Sequence, residues 1–212
     1  MSLRITEVFY SIQGESNTVG LPTVFVRLTG CPMRCSYCDT AYAFEGGSKM
    51  DIEDILKEVS QYQTKHVTVT GGEPLAQPEC HTLMNALCDK GYAVSLETGN
   101  AMDISKVDPR VYIVLDIKTP ASNEEPNNKY KNLDYIKRDD SLKFVICDEP
   151  DYLWSKQQLS ERGLTEKCEI LFSPSAEQLL PTDLADWIIR DQLPVRMQIQ
   201  LHKVLWNNQA GR

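Results

Sequence analysis

Three cysteines are the residues of this chain whose type and spacing most directly indicate chemistry. Cys31, Cys35 and Cys38 occupy one short stretch after the apolar run 23–28. Thiolates are soft ligands that favour zinc or iron–sulfur clusters. A closed structural zinc site needs a fourth ligand, yet neither cysteine nor histidine occurs between Cys38 and His66. The spacing therefore indicates a 4Fe–4S cluster held by three thiolates, with one iron left able to bind a small molecule.

A pair of glycines follows the next predicted strand, 66–70. Gly71 and Gly72 allow a ligand to approach the backbone closely, and Glu73 can accept a hydrogen bond from an ammonium group. Alone, this stretch is more typical of a turn. Its position at the strand end that follows the cysteine stretch favours a ligand site.

Arg27 lies on the predicted strand 23–28, in phase with Phe25 and Thr29. A buried arginine requires an acidic partner, and its planar guanidinium group suits a carboxylate. From the sequence alone, an arginine on the surface of a strand is an equally good interpretation.

Size and composition limit the classes of function. The chain has 212 residues and 24.0 kDa, which predicts a single domain over residues 1–212. The formal net charge is −8 and no run of Lys and Arg exceeds two residues, which argues against nucleic-acid binding. No apolar run approaches the ~20 residues of a membrane span. The seven cysteines, an odd number without an export signal, favour a reducing compartment. We expect a cytoplasmic enzyme that acts on small molecules.

The periodicity of apolar residues alternates between strands and helices along the chain. The predicted strands are 3–10, 23–28, 66–70, 92–96, 111–115, 142–146, 169–172 and 195–201. The predicted helices are 51–61, 79–90, 151–161 and 182–191, with a weaker one at 133–138 and a polar loop at 121–131. The alternation predicts βα units and a mostly parallel sheet.

Unusual residues gather where the predicted strands end. The cysteine stretch 31–38 follows one strand, and glycine-rich or charged turns follow others. This clustering is typical of the active-site face of an α/β barrel, but the chain is shorter than the ~250 residues of eight full βα units. The prediction is an α/β fold in the form of a partial, open barrel with abbreviated helices.

The three cysteines, with an aromatic residue before the last of them, resemble the motif of the radical S-adenosylmethionine (SAM) superfamily, and 71–74 resembles its GGEP element. Further matches resemble the 7-carboxy-7-deazaguanine synthase family within it. They are Gln13-Gly14-Glu15, Cys38-Asp39-Thr40, Glu97-Thr98, Asp116-Ile117-Lys118, Lys143 and His202-Lys203. The resemblance implies a radical SAM barrel with a 4Fe–4S cluster and SAM. The implied reaction converts 6-carboxy-5,6,7,8-tetrahydropterin to 7-carboxy-7-deazaguanine with loss of ammonia, in queuosine biosynthesis.

The resemblance also assigns residues to roles. Beside the three cluster cysteines, it implies cofactor contacts from Tyr37, Asp39, Gly71, Gly72, Glu73, Glu97, Asp116, Ile117, Lys118, Ser173, Pro174, Ser175 and Ala176. It implies pterin contacts from Ile12, Gln13, Gly14, Glu15, Arg27, Thr70 and His202, with Arg27 on the substrate carboxylate. Thr40 would bind a Mg²⁺ ion, and the C-terminal tail 202–212 would close the substrate site.

Two alternative functions remain open at this point. A glycyl-radical-enzyme activating protein would use the same cysteines on a large protein substrate. A non-catalytic zinc or iron–sulfur module would use them without turnover. For the favoured function, the resemblance implies an electron donor such as flavodoxin or ferredoxin and a homodimer, with neither nucleic acid nor membrane as a partner.

Overall fold

The computed structural model describes residues 1–176, 178–207, 209 and 211. Its strands form one sheet in the spatial order β3-β1-β2-β4-β5-β6-β7-β8-β9. They are β1 (Ser2–Ile12), β2 (Pro22–Leu28), β3 (Ser48–Asp51), β4 (His66–Gly71), β5 (Ala93–Thr98), β6 (Tyr112–Asp116), β7 (Ser141–Ile146), β8 (Glu169–Pro174) and β9 (Arg196–Met197). The pairs of β1 with β2 and β3 are antiparallel, and every pair from β2 to β9 is parallel. The sheet is open, because β3 and β9 lie at its two edges and do not pair with each other.

Helices cover the sheet unevenly. They are α1 (Ile52–Val59), α2 (Cys80–Asp89), α3 (Glu149–Arg162), α4 (Pro181–Asp191) and α5 (Leu201–Trp206). No α-helix joins β5 to β6 in this fully described stretch, and three short 3₁₀ turns at Pro120–Ser122, Glu125–Asn127 and Tyr130–Asp134 join β6 to β7. The predicted open α/β sheet with abbreviated helices is therefore confirmed.

The two faces of β2 show how the sheet separates core from site. Val24, Val26 and Leu28 are fully buried in the hydrophobic core on one face. Phe25 and Arg27 alternate with them and line a cavity on the other face. Since side chains alternate along a strand, the same strand stabilises the fold and supplies the site.

Local signals explain most helix boundaries. The apolar residues of α1 recur at helical spacing and are all buried. Asp148 caps α3 by accepting a hydrogen bond from the backbone N–H of Asp151, at 2.8 Å. The helix ends at Gly163, whose φ of 59° lies in the left-handed region that favours glycine.

Two predicted elements are wrong. The predicted strand 195–201 reduces to β9, because the side chain of Gln198 bonds to the backbone of Ser16 and the chain then enters α5. The predicted helix 133–138 is replaced by the 3₁₀ turn Tyr130–Asp134. Strand β3 was not predicted. No helix in the described part of the chain is long and apolar enough to cross a membrane.

Candidate active site

A cavity of about 360 Å³ opens at the carboxyl ends of the parallel strands. Its lining includes residues from the loops after β1, β2, β4, β5, β6 and β8, together with α5. Every residue that the sequence assigned to the site contributes to this lining, except Glu73 and Ile117. The cysteines lie near Asp116 and Lys118, whereas Arg27, Lys143 and Glu15 lie around Glu97. We describe these two groups of side chains as the two ends of the cavity.

The cysteine loop is anchored on the turn that follows β6. The backbone N–H of Arg34 donates to a carboxylate oxygen of Glu124 at 2.6 Å. Ser36 donates through its N–H to the carbonyl of Ser122 at 3.0 Å and through its hydroxyl to the carbonyl of Ala121 at 2.6 Å. The three thiols are free and half-buried, so the loop presents them to the cavity from a fixed backbone.

Glycine brings the end of β4 against this loop. A Cβ atom at Gly72 would lie 2.4 Å from the carbonyl oxygen of Gly30 and 2.7 Å from the Cβ of Cys31. Neither distance is tolerated by a larger residue without backbone movement. Gly72 therefore packs the strand end directly against the first cysteine. The absence of a side chain permits the close backbone approach that the sequence predicted here.

Three buried polar atoms of residues that line the cavity lack a hydrogen-bond partner within the described chain. They are the hydroxyls of Tyr37 and Ser173 and one carboxylate oxygen of Asp116. The other Asp116 oxygen accepts from Lys118 Nζ at 2.7 Å, and this ammonium lies 5.6 Å from the centroid of the Tyr37 ring. Because unpartnered buried polar groups are costly, these atoms mark a place built for a polar ligand.

The opposite end of the cavity is dominated by paired charges. Lys143 on β7 lies 2.8 Å from a carboxylate oxygen of Glu15, and both side chains are about nine-tenths buried. Burial raises the pKa of Glu97, and the nearby Lys143 ammonium opposes that rise. Burial lowers the pKa of Lys143, but Glu15 and Glu97 more than offset this, so its net pKa is raised. One buried cation thus serves two acidic side chains.

Gln13 is fixed through its own side-chain amide. Its Nε2 donates to the Thr68 hydroxyl at 3.0 Å, and its Oε1 accepts from the backbone N–H of Glu15 at 3.3 Å. The Thr68 hydroxyl in turn bonds with that of Ser95 at 2.8 Å. This chain of bonds connects the 13–15 segment to β4 and β5 beneath the cavity.

The C-terminal helix α5 lies over the segment that carries Gly14. The N–H of Leu201 donates to the carbonyl of Gly14 at 3.1 Å, and a Cβ at Gly14 would lie 2.1 Å from Nδ1 of His202. Lys203 Nζ lies 2.7 Å from Asp39 Oδ2. Burial lowers the pKa of His202. Helix α5 thus lies against the segment that carries Gly14, and positions 208, 210 and 212 of the predicted tail lie outside the described residues.

Comparison with known proteins gives this geometry a family. The model of the radical SAM superfamily matches residues 25–137. The 7-carboxy-7-deazaguanine synthase of Chlorobaculum tepidum is 46% identical over 211 residues, covering 98% of this chain and 96% of that protein. The chain belongs to this family. The synthase of Koribacter versatilis is 39% identical, covering 96% of this chain and 97% of its own length.

A solved structure supports the fold of this family member. The crystal structure of QueE from Escherichia coli matches with a TM-score of 0.79 at 23% identity and covers 95% of each chain. The predicted radical SAM type of open barrel is therefore confirmed. The two alternatives left open by the sequence, an activating protein and a metal-binding module, find no support among these relatives.

Membership of the radical SAM superfamily implies a 4Fe–4S cluster and SAM as cofactors, and the residues present fit both. The thiols line a cavity and do not enclose a point, since no group of His, Cys, Asp or Glu in the described residues is arranged to hold a single metal ion. Burial raises the pKa of Cys35 to about 11, so this thiol needs a metal partner to ionise at neutral pH. In the same cavity, the unpartnered atoms of Tyr37, Asp116 and Ser173 suit the polar groups of SAM.

Two predicted site residues do not reach the cavity of this family member. Glu73 is fully buried, and its carboxylate accepts from the Leu75 N–H at 3.0 Å, the Gly99 N–H at 2.8 Å and the Thr98 hydroxyl. It joins the ends of β4 and β5. The side chain of Ile117 packs in the hydrophobic core. Contacts of these residues with a cofactor remain predictions.

The structure adds Glu7 and Tyr42, two residues beside Arg27 that the sequence analysis missed. Arg27 donates through Nε to Glu7 at 2.8 Å, and Tyr42 donates to the same Glu7 oxygen at 2.7 Å. The sequence carries a signal for Glu7, because the apolar positions that pack in the core change parity from Leu3 and Ile5, which are buried, to Val8, which is partly buried. Such a change of phase indicates a β-bulge.

Proposed function

We propose that this chain is a 7-carboxy-7-deazaguanine synthase that converts 6-carboxy-5,6,7,8-tetrahydropterin to 7-carboxy-7-deazaguanine with loss of ammonia. The observation that carries the proposal is that one cavity contains both the cysteine loop and Arg27. A radical generated at the first must reach a carboxylated substrate held at the second. The named function of relatives that align over nearly the whole chain supports it.

The residues divide this work between them. Cys31, Cys35 and Cys38 would hold the cluster, which with SAM supplies the radical that removes a hydrogen atom from the substrate. Tyr37, Gly71, Gly72, Asp116, Lys118 and the 173–176 turn would surround SAM, and Asp39 and Glu97 are further proposed contacts. The protein itself contributes placement, since a hydrogen atom is transferred only over a short, aligned distance.

The substrate end provides complementary groups for an acidic pterin. Arg27 would bind the carboxylate of the substrate, and Ile12, Gln13, Gly14, Glu15 and Thr70 would surround the ring system. His202 and the rest of the tail 202–212 would exclude water from this end. In the described chain, each of three cationic side chains here already has an acidic partner: Arg27 pairs with Glu7, Lys203 pairs with Asp39, and Lys143 faces both Glu15 and Glu97.

A Mg²⁺ ion bound by Thr40 would balance the charge that the substrate adds. The Thr40 hydroxyl donates to Asp39 at 2.8 Å and keeps its lone pairs for a cation. One hydroxyl suits Mg²⁺ only together with substrate oxygens and water. Because each of these cationic side chains already has an acidic partner, a bound carboxylate would otherwise leave its negative charge uncompensated.

The same proposal extends to organisation and partners. Residues 1–212 would act as a single domain in the cytoplasm, as a homodimer, with a small reducing protein such as flavodoxin or ferredoxin as electron donor. The continuous sheet from β1 to β9 supports a single domain. The net charge of −8 supports the expectation that nucleic acid is no partner.

The decisive experiment is an anaerobic assay of the reconstituted protein with SAM, a reductant, Mg²⁺ and 6-carboxy-5,6,7,8-tetrahydropterin. Mass spectrometry should detect 7-carboxy-7-deazaguanine together with 5′-deoxyadenosine. Formation of 5′-deoxyadenosine alone would refute the proposed substrate but would still support radical SAM chemistry. Absence of both from a protein with a full cluster would refute the proposal.

A further inference from the structure

Strand β1 contains a bulge that changes which of its faces the side chains occupy. Ile5 pairs with Leu28 on β2, but Glu7 pairs with Arg27, so Thr6 is an extra residue in β1. Before the bulge, Ile5 points into the hydrophobic core, as Leu28 does. After it, Glu7 faces Arg27 on the cavity side. A regular strand would have directed Glu7 toward the helices, because side chains alternate with a period of two.

Glu7 holds Arg27 from behind the cavity wall. Its Oε1 accepts from Arg27 Nε at 2.8 Å and from the Tyr42 hydroxyl at 2.7 Å. The side chains of Arg27 and Glu7 are 15% and 22% exposed, and only Arg27 lines the cavity. The guanidinium carbon also lies 5.6 Å from the centroid of the Phe9 ring and 5.8 Å from that of Tyr42. The arginine is therefore restrained in both position and plane.

The contact with Glu7 uses only one nitrogen of the guanidinium group. Within the described part of the chain, neither Nη atom of Arg27 has a hydrogen-bond partner. A guanidinium group held at Nε still presents its two Nη atoms as a fork that matches a carboxylate. We propose that Glu7 is a positioning residue that directs this fork of Arg27 toward the carboxylate of the substrate. The inference rests on the proposed function.

A different role for Glu7 would be to neutralise the buried charge of Arg27. Substitution by glutamine separates the two roles, because Glu7→Gln keeps an acceptor oxygen at Oε1 and removes the negative charge. If position is what matters, Glu7→Gln keeps the substrate affinity while Glu7→Ala loses it. If charge is what matters, both variants change the substrate affinity by the same factor, because both remove the negative charge.

The test measures binding under anaerobic conditions to the protein loaded with its cluster, SAM and Mg²⁺, without reductant. Calorimetry compares 6-carboxy-5,6,7,8-tetrahydropterin with tetrahydropterin, which lacks the carboxylate. Glu7→Ala should weaken binding of the carboxylated pterin about tenfold and that of tetrahydropterin less than about twofold. Glu7→Gln should stay within about threefold of the wild type for both.

Two further variants keep the test interpretable. Tyr42→Phe removes one of the donors to Glu7. It should weaken only the binding of the carboxylated pterin, by about twofold. Glu53→Gln makes the same chemical change at an exposed position of α1 and should bind both pterins as the wild type does. Tyr42→Phe tests the same network if Glu7→Ala fails to fold.

The outcomes separate this inference from the function on which it rests. If Glu7→Ala weakens the binding of both pterins equally, Glu7 has a general structural role and the inference is overturned. If Glu7→Gln and Glu7→Ala change the affinity for the carboxylated pterin equally, Glu7 acts through its charge and the inference is overturned. If the wild type itself binds both pterins equally, the proposed carboxylate site fails, and the inference fails with it for that reason.

Discussion

The two ends of the cavity are built in different ways. The cofactor end relies on backbone: an anchored loop presents three thiols, and Gly72 brings a strand end within reach of Cys31. The substrate end relies on charged side chains, held by pairs such as Lys143 with Glu15 and Arg27 with Glu7. The first arrangement depends on close packing of the main chain, whereas the second depends on ion pairs between side chains of β1, β2, β7 and the 13–15 segment.

This difference predicts different consequences of mutation. A backbone-built site tolerates little change in residue size, because a new atom must displace main chain. A site built from ion pairs tolerates changes in shape better but depends on each partner, since an unpaired buried charge is costly. The variants below test this contrast from the largest expected effect to the smallest.

Replacing a cluster ligand should abolish the cofactor end completely. Cys35→Ala removes one of three thiolates, so we expect loss of iron, sulfide and all activity. Iron and sulfide analysis with absorption spectroscopy measures this. Cys88→Ala is the matched control, because Cys88 lies half-buried on α2 and away from the cavity. A Cys35→Ala protein with a full cluster and activity would contradict the assignment.

A glycine-to-alanine substitution at each end of the cavity compares a site built from main chain with a site built from side chains. Gly72→Ala places a Cβ 2.4 Å from a backbone oxygen and should weaken SAM binding about a hundredfold, because the displaced main chain cannot recover its position. The Cβ of Gly14→Ala would have as its nearest neighbours three atoms of the His202 ring, which can rotate away. This substitution should raise KM for the pterin and leave SAM binding unchanged. Equilibrium dialysis with SAM and steady-state kinetics distinguish the two.

Removing the buried cation should damage the substrate end in a pH-dependent way. Lys143→Met leaves Glu15 and Glu97 without their partner and should lower the free energy of unfolding by about 3–5 kcal/mol near neutral pH. Because the folded pKa of Glu97 is already raised, its stabilising contribution is present at low pH and is lost as pH rises through that pKa. The deficit should be smaller near pH 5 than near pH 8.

Urea unfolding at the two pH values measures this deficit. Lys57→Met, at an exposed position of α1, is the control and should change stability little at either pH. A deficit of equal size at both pH values would show that packing of the lysine side chain, and not its charge, supports the site.

Loosening the C-terminal helix should have the smallest effect. Lys203→Met removes a pair in which the side chain of Asp39 is 42% exposed, and such pairs contribute at most about 1 kcal/mol. We expect KM for the pterin to rise about two- to fivefold, with faster hydrogen exchange in α5. Lys167→Met, on the surface before β8, should change neither quantity. An unchanged KM would show that the attachment of α5 through Lys203 does not contribute to substrate binding.

Local features of this site were predictable from the sequence. The thiol spacing, the glycine pair and the strand ends each depend on a few neighbouring residues, and the structure brings them into one cavity. The parallel sheet followed from alternating periodicity. The missing helix between β5 and β6 was predictable only in outline, from the length of the chain.

Pairings between distant residues were not predictable. No rule of periodicity connects Lys143 to Glu15, because their contact depends on the curvature and order of strands. Glu7 could not be assigned while the strand was read as regular, since the bulge at Thr6 alone places it beside Arg27. Glu73 shows the reverse case, a motif residue whose side chain bonds inside the protein.

The bond between Gln198 and Ser16 has a consequence for the order of folding. The two residues are 182 positions apart and share two hydrogen bonds, at 2.8 and 2.7 Å. Closing so long a loop is slow compared with local pairing. During synthesis, residue 198 emerges from the ribosome after the strands β1 to β8. The contact that fastens the last part of the chain beside the 13–15 segment can therefore form only after the strands that position the cysteine loop are outside the ribosome.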